Sequence, residues 1–199
     1  MTPGDNVLYF KNGFDVRLCP KNGMTMMKWV YYIVHCKKEQ TIDIRRLDRW
    51  KYIMERTSAP TYPFRKKSIK IAIKRDPVKR FQSAAAYKFK DRSPVLPIVS
   101  IDDIIHQVAK GTMKDVHFFS QSYFLGRPED YDMIYDINDL PDLVRLIYKE
   151  CGTVSTWEEK LMYEKKNVST YHHNYDLLTP EQENIVRELY DKDYKNGWC

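Results

Sequence analysis

Polar and apolar residues alternate along Phe14-Asp15-Val16-Arg17-Leu18, the pattern of a strand with one buried face. Val7-Leu8-Tyr9-Phe10 lies just before it, and the intervening Asn12-Gly13 is a strong hairpin signal. Ser68-Ile69-Lys70-Ile71-Ala72-Ile73-Lys74 alternates again, which predicts a strand with Ile69, Ile71 and Ile73 on one face. Residues 24–38 contain neither Gly nor Pro and read as a helix, with Met26, Val30, Ile33 and Val34 facing inward. A second helix is expected over 76–88, opened by Asp76 as N-cap and Pro77 as first helical residue. Residues 41–56 form a charged amphipathic stretch, 57–64 a loop holding Pro60 and Pro63, and 90–97 an irregular link. Ser100-Ile101-Asp102-Asp103 has a capping pattern for a helix that Gly111 closes. Further helices are expected over 141–151, ended by Gly152, over 157–164, and after Thr179-Pro180-Glu181-Gln182, where Ile185, Val186, Leu189 and Tyr190 share a face. Strands alternating with helices imply an α/β fold whose mainly parallel central sheet is flanked by helices on both faces.

Two of the predicted strands run directly into helices, and both junctions carry anion-binding chemistry. At the first, Cys19-Pro20-Lys21-Asn22-Gly23-Met24-Thr25, Gly23 permits a tight turn and the new helix presents unpaired N–H groups. Lys21 adds a positive charge and Thr25 a hydroxyl, so a phosphate or sulfate ester is the natural ligand. The segment is not a Walker A loop, having one glycine and its lysine ahead of it. At the second, Arg75-Asp76-Pro77-Val78-Lys79-Arg80-Phe81-Gln82-Ser83, Arg80 and Ser83 are three apart on one helix face and Arg75 stands at the strand end. Arginine's planar fork of donors suits phosphate oxygens. In folds of this class, ligands sit beyond the carboxyl ends of strands, where both junctions fall.

Together, Pro-Lys-x-Gly-x-Thr and Arg-Asp-Pro-x-x-Arg-x-x-Ser resemble the paired cofactor motifs of sulfotransferases, enzymes that use 3′-phosphoadenosine 5′-phosphosulfate (PAPS). The closer likeness is to the carbohydrate branch, the chondroitin and heparan sulfate O-sulfotransferases. Asp115-Val116-His117-Phe118-Phe119-Ser120-Gln121 resembles that branch's His-aromatic-x-x-Gln segment. Asp132-Met133-Ile134-Tyr135-Asp136 resembles its late strand, and residues 178–194 its closing helix. The resemblance implies one P-loop-like domain over 1–199. It implies a 5′-phosphosulfate held by Lys21, Asn22, Gly23, Met24, Thr25 and Met26, and a 3′-phosphate held by Arg75 and Ser83. Lys21 would also be catalytic, neutralising the departing 5′-phosphate of adenosine 3′,5′-bisphosphate. Lys28 is either a further contact or an exposed helix lysine. The resemblance implies no metal. The acceptor would be a hydroxyl, with a glycan as the expected class.

An acceptor hydroxyl needs a proton acceptor. His117 is the first candidate and Glu55, between the two motifs, the rival. His35 reads as structural and His106 as solvated, while His172 and His173 belong to either a nucleotide lid or an ordinary basic loop.

Composition narrows the classes. At 199 residues and 43% hydrophobic, the chain is long enough for a real core and fits one domain. No apolar run approaches the ~20 residues of a membrane span, and the first motif begins too early to leave room for a secretory signal, so a cytoplasmic location is expected. Cys19, Cys36, Cys151 and Cys199 lack metal-ligand spacing and read as reduced and non-catalytic. The net charge of +6 favours anionic ligands. Arg65-Lys66-Lys67 with Lys70 and Lys74 is its densest group, either a solvated strand face or an acceptor patch. Nucleic acid is not expected, because the tyrosines form no stacking platform. Two other classes stay open: an ATP-dependent phosphotransferase, which the missing Gly-Lys-[Ser/Thr] opposes, and a non-enzymatic polyanion binder.

Overall fold

The computed structural model describes residues 7–35, 66–90, 100–152 and 178–199. Strand β1 (Val7–Tyr9) pairs antiparallel with β2 (Phe14–Arg17), Leu8 opposite Val16. The turn is the expected one: Gly13 has φ 92, where a side chain would be strained, and its N–H donates to Phe10 O at 3.1 Å. Gly13 O in turn accepts from Ile69 N at 2.9 Å, so the hairpin tip starts the next pairing. Helix α1 (Met24–His35) follows β2. Strand β3 (Ile69–Lys74) lies parallel to β2 with Val16 level with Ile71, and helix α2 (Pro77–Lys90) follows it. Helices α3 (Ile101–Ala109) and α4 (Gln121–Leu125) lead to β4 (Met133–Asp136), which pairs parallel to β3. Then come α5 (Leu140–Glu150), α6 (Pro180–Leu189) and α7 (Asp191–Lys195). The sheet order is β1-β2-β3-β4.

Both faces of the sheet are covered, as β3 shows residue by residue. Ile71 and Ile73 pack with Val16 against Met27, Val30 and Tyr31 of α1 and Leu143 and Ile147 of α5. Ala72, on the opposite face, packs against Cys19, Phe124, Leu125 and Trp198. Helices α2, α3 and α6 share a separate core built on Phe81, Ile104, Val186 and Tyr190. Asp76 caps α2 by accepting from Lys79 N at 2.8 Å. Ser100 with Asp103, and Thr179 with Gln182, close reciprocal capping boxes on α3 and α6. Among the described residues no helix is long and apolar enough to cross a membrane.

Several expectations are corrected in detail. The buried stripe of α1 is Met27, Val30, Tyr31 and Val34, while Met26 and Ile33 flank it half-buried. Tyr31 takes the inner position because its ring meets Phe10 edge-on, with centroids 5.4 Å apart. Ile69 is 42% exposed, because it opens β3 at the sheet's lower edge, outside the covered span. Ile185 is likewise exposed, leaving Val186 of α6 and Tyr190, just past its end, as the buried pair. The closing helix is two helices, since the backbone at Tyr190 turns to φ −108, ψ 20. Lys90, expected to begin the irregular link 90–97, is instead the last residue of α2; the rest of that link, the stretches expected over 41–56, 57–64 and 157–164, Arg65 and Cys36 lie outside the described residues.

Candidate functional site

Because β2 and β3 are adjacent and parallel, with Arg17 level with Ala72, their carboxyl ends open on one edge of the sheet. The two junction loops therefore emerge side by side. The first turns sharply: Lys21 has φ 68 and Gly23 φ 75. A left-handed lysine is an uncommon conformation that surrounding structure must hold. At Gly23 there is no room for a side chain, since an added Cβ would stand 2.7 Å from Leu140 Cδ2. The first i→i−4 bond of the helix joins Met27 N to Gly23 O at 3.0 Å. The N–H groups of Met24, Thr25 and Met26 precede that ladder and sit at the positive end of α1.

The loops are bonded to each other. Arg75 Nη1 donates to Lys21 O at 2.9 Å, and Arg80 Nε donates to Pro20 O at 3.0 Å. Asn22 is fully buried and its Nδ2 donates to Ile73 O at 2.8 Å and to Gln121 Oε1 at 2.5 Å. Gln121 is the hub of this arrangement. Its Oε1 also accepts from Arg75 N at 3.0 Å, while its Nε2 donates to Arg75 O at 2.7 Å and Trp198 O at 2.9 Å. Every hydrogen-bonding position of that amide is thus used. Asp193 holds the hub in place, its carboxylate accepting from the N–H groups of Gln121 and Ser122 and from Ser122 Oγ.

Three cations converge under and within this pair of loops. Burial pulls the Lys21 ammonium down from 10.5 to about 8; Asp115 opposes the shift, and Arg75 and Arg80 add to it. Arg75 is lowered by the same causes, burial first and then Arg80, with Asp76 and Asp136 opposing. Arg80 is fully buried, and among the described residues its Nη1 and Nη2 have no hydrogen-bond partner. It lies beside the Cys19 thiol, which burial pushes up to about 11 and so keeps protonated and unreactive. Arg80 therefore does not share an open face with Ser83, as the helix spacing suggests. It props the first loop from below, while Ser83, one turn on, is half-buried.

At the rim, a single turn of 3-10 helix (Val116–Phe118) presents His117. Asp115 Oδ1 lies 2.6 Å from His117 Nδ1 and accepts from His117 N at 2.9 Å, while Asp115 Oδ2 pairs with Lys88 Nζ of α2 at 2.6 Å. Burial works against the Asp115 carboxylate, yet the bonds from His117 and Lys88 prevail and hold it well below the usual carboxylate range.

The structure thus brings Lys21, Asn22, Gly23, Thr25, Arg75 and the electrostatic neighbourhood of Asp115 and His117 to one edge. Asn22 serves as an internal anchor through its Nδ2, which is spent on Ile73 and Gln121, while its buried Oδ1 has no hydrogen-bond partner among the described residues. The Met24 and Met26 side chains pack against the core, so those residues offer only backbone N–H groups. Lys28 is half-buried on α1. His35 stacks on Tyr31 with ring centroids 4.3 Å apart, and His106 is exposed, as expected of each. Glu55, His172 and His173 lie outside the described residues. Sequence reasoning missed the roles of Gln121, Asp115, Lys88, Asp193 and Trp198. Only Asp115 had a local signal: an acidic residue two before a histidine can reach both that residue's N–H and its ring.

Comparison with protein-family models, with curated proteins and with solved structures gave no match.

Proposed function

We propose that this chain is a sulfotransferase that moves the sulfuryl group of PAPS to an acceptor hydroxyl, with carbohydrate as the acceptor class. The observation that carries the reading is the bond from Arg75 Nη1 to Lys21 O, which ties the two anion-binding turns into one construction at the ends of adjacent strands. A donor with phosphate groups at both its 5′ and 3′ ends calls for two anion subsites held at a fixed spacing. Lys21, the first-turn N–H groups of α1 and the Thr25 hydroxyl suit the 5′-phosphosulfate. Arg75 and Ser83 suit the 3′-phosphate, which ATP lacks.

Sulfuryl transfer needs an in-line nucleophile and a stabilised leaving phosphate. Lys21 answers the second need: its partly desolvated ammonium interacts more strongly with developing negative charge than a solvated lysine does. Its left-handed backbone belongs to the sharp turn that leads into α1. Charge neutralisation by Lys21 and Arg75 is therefore the chemistry that these residues supply.

Calorimetric titration with adenosine 3′,5′-bisphosphate, against 5′-AMP and ATP, tests the proposal. The bisphosphate should bind in clear preference to both, and Arg75→Ala should weaken it by roughly 10- to 100-fold, as loss of charge-assisted hydrogen bonds does. Equal binding of the three nucleotides, or none, would overturn it.

A further inference from the structure

Asp115 is placed to do more than cap a turn. One of its oxygens meets both the His117 N–H, at 2.9 Å, and the His117 ring at Nδ1, at 2.6 Å. The other oxygen is paired with Lys88 Nζ at 2.6 Å. Lys88 belongs to α2, the helix that begins at the second anion loop, so the pair anchors the rim to that loop's own helix. Asp115 is also the charge that most strongly opposes the depression of Lys21, which places the carboxylate within electrostatic reach of the first loop.

These contacts fix the ring chemically. An ionised carboxylate can only accept hydrogen bonds. The Lys88 ammonium and the His117 N–H keep Asp115 ionised. The short Nδ1 contact must then have the ring as donor, so neutral His117 carries its proton on Nδ1 and its lone pair on Nε2. A histidine held this way has its orientation and its basic nitrogen both selected, the condition general-base catalysis requires.

We propose that Asp115 is a positioning residue that holds His117 in the Nδ1–H tautomer, making His117 Nε2 the group that receives the acceptor hydroxyl's proton. The inference rests on the sulfotransferase reading for the reaction, but the tautomer itself does not. As the hydroxyl oxygen bonds to sulfur, its proton passes to Nε2. The bond from sulfur to the bridging oxygen breaks, and its electron pair leaves on the 5′-phosphate, whose charge Lys21 meets. The imidazolium that forms is stabilised by Asp115 through Nδ1–H. Among the described residues, Asp115 on its own segment meets the ring directly, and Lys88 on α2 and Lys21 on the first loop are linked to it through Asp115.

The test begins with the unaltered protein. Long-range proton–nitrogen correlation of the His117 ring at alkaline pH should report the Nδ1–H tautomer, and the Nε2–H form would overturn the proposal. Asp115→Asn should abolish that tautomer selection and lower kcat by roughly 100-fold, with Asp115→Glu restoring part of both. A purely structural carboxylate would not move the tautomer. Turnover is then compared for Asp115→Asn, His117→Gln and the double variant. If Asp115 acts through His117, the second substitution adds almost nothing to the first. Additive losses would place Asp115's effect on Lys21 instead and refute the assignment. Bisphosphate titration runs alongside. Binding with unchanged kcat in both single variants sinks the base assignment and leaves the sulfotransferase reading standing. Absent binding sinks that reading, and the tautomer result then decides the positioning role alone.

Discussion

Replacing Gln121 with Leu should disable the site by loosening both loops at once. The side chain is fully buried and nearly isosteric with leucine, so the substitution leaves volume almost unchanged and removes only polar partners. Three backbone groups lose a hydrogen bond: Arg75 N–H, Arg75 O and Trp198 O. Asn22 Nδ2 loses one of its two acceptors and keeps Ile73 O. An unsatisfied buried polar group costs about 1–3 kcal/mol. Partial relaxation and water entry at Arg75, which is not fully enclosed, reduce the sum, so the expected loss is roughly 3–5 kcal/mol. That is a large share of the 5–15 kcal/mol typical of a domain. Urea unfolding followed by tryptophan fluorescence and by far-ultraviolet dichroism measures it, with a shift in midpoint at constant slope as the expected form. Gln121→Glu should do no better, because a carboxylate cannot donate to Arg75 O and Trp198 O. A loss below about 1 kcal/mol for Gln121→Leu would refute the view that this amide holds the loops together.

Four further outcomes are expected. Gly23→Ala should destabilise the fold by about 1–3 kcal/mol and weaken anion binding, and Leu140→Ala in the same chain should relieve the 2.7 Å clash without relieving the strain of φ 75, a split that thermal melts of the single and double variants would expose. Affinity for adenosine 3′,5′-bisphosphate should fall as pH rises through about 8, where Lys21 loses its proton, and Lys21→Met should flatten that profile in titrations. The same depression means that protonated Lys21 costs the folded state stability below pH 8, a cost relieved as pH rises from there toward its ordinary value of 10.5. Trp198→Ala should cost about 3–5 kcal/mol by denaturant unfolding, since the indole is fully buried against Phe124 and Leu125 and its Nε1 donates to Gly126 O at 3.0 Å.

Local physics made part of this molecule readable in advance. The hairpin at Asn12-Gly13, the Asp76-Pro77 start of α2 and the boxes at Ser100 and Thr179 are each decided within four residues, and each forms as expected. The alternation in β2 and β3 likewise placed both junctions at strand ends, and parallel pairing brought them together. What escaped is what depends on distant partners. The fate of Arg80 was illegible because helical spacing says which residues share a face, whereas Pro20, Cys19 and the core around Tyr190 decide that this face is closed. Met27 and Tyr31 replaced Met26 and Ile33 inside α1 for a similar reason, the position of Phe10 across the hairpin. Gln121 stood out in the sequence only as the last residue of the His-aromatic-x-x-Gln segment. Its importance comes from Asn22 and Trp198, 99 and 77 residues away along the chain.

The choice of scaffolding groups bears on what the site can bind. Lys21, Arg75 and Arg80 carry like charges: Arg75 and Arg80 both lower the proton affinity of Lys21, and Arg80 lowers that of Arg75. Carboxylates could hold such loops together, but they would cancel the charge that attracts an anion. The direct links are neutral instead: the amides of Asn22 and Gln121, and the carbonyls of Pro20, Lys21 and Ile73. Asp193, the buried carboxylate nearest the hub, spends its oxygens on the N–H groups that open α4 and on Ser122 rather than on the cations. Asp115 is engaged by His117 and Lys88. Positive charge is thereby kept at the carboxyl edge of the sheet at a cost in stability, which neutral hydrogen bonds and the packing of Trp198 offset. Buried charges that serve structure alone can often be replaced by well-packed apolar residues without loss of stability. Cations linked by groups that leave their charge intact suit the phosphate-bearing donor proposed above.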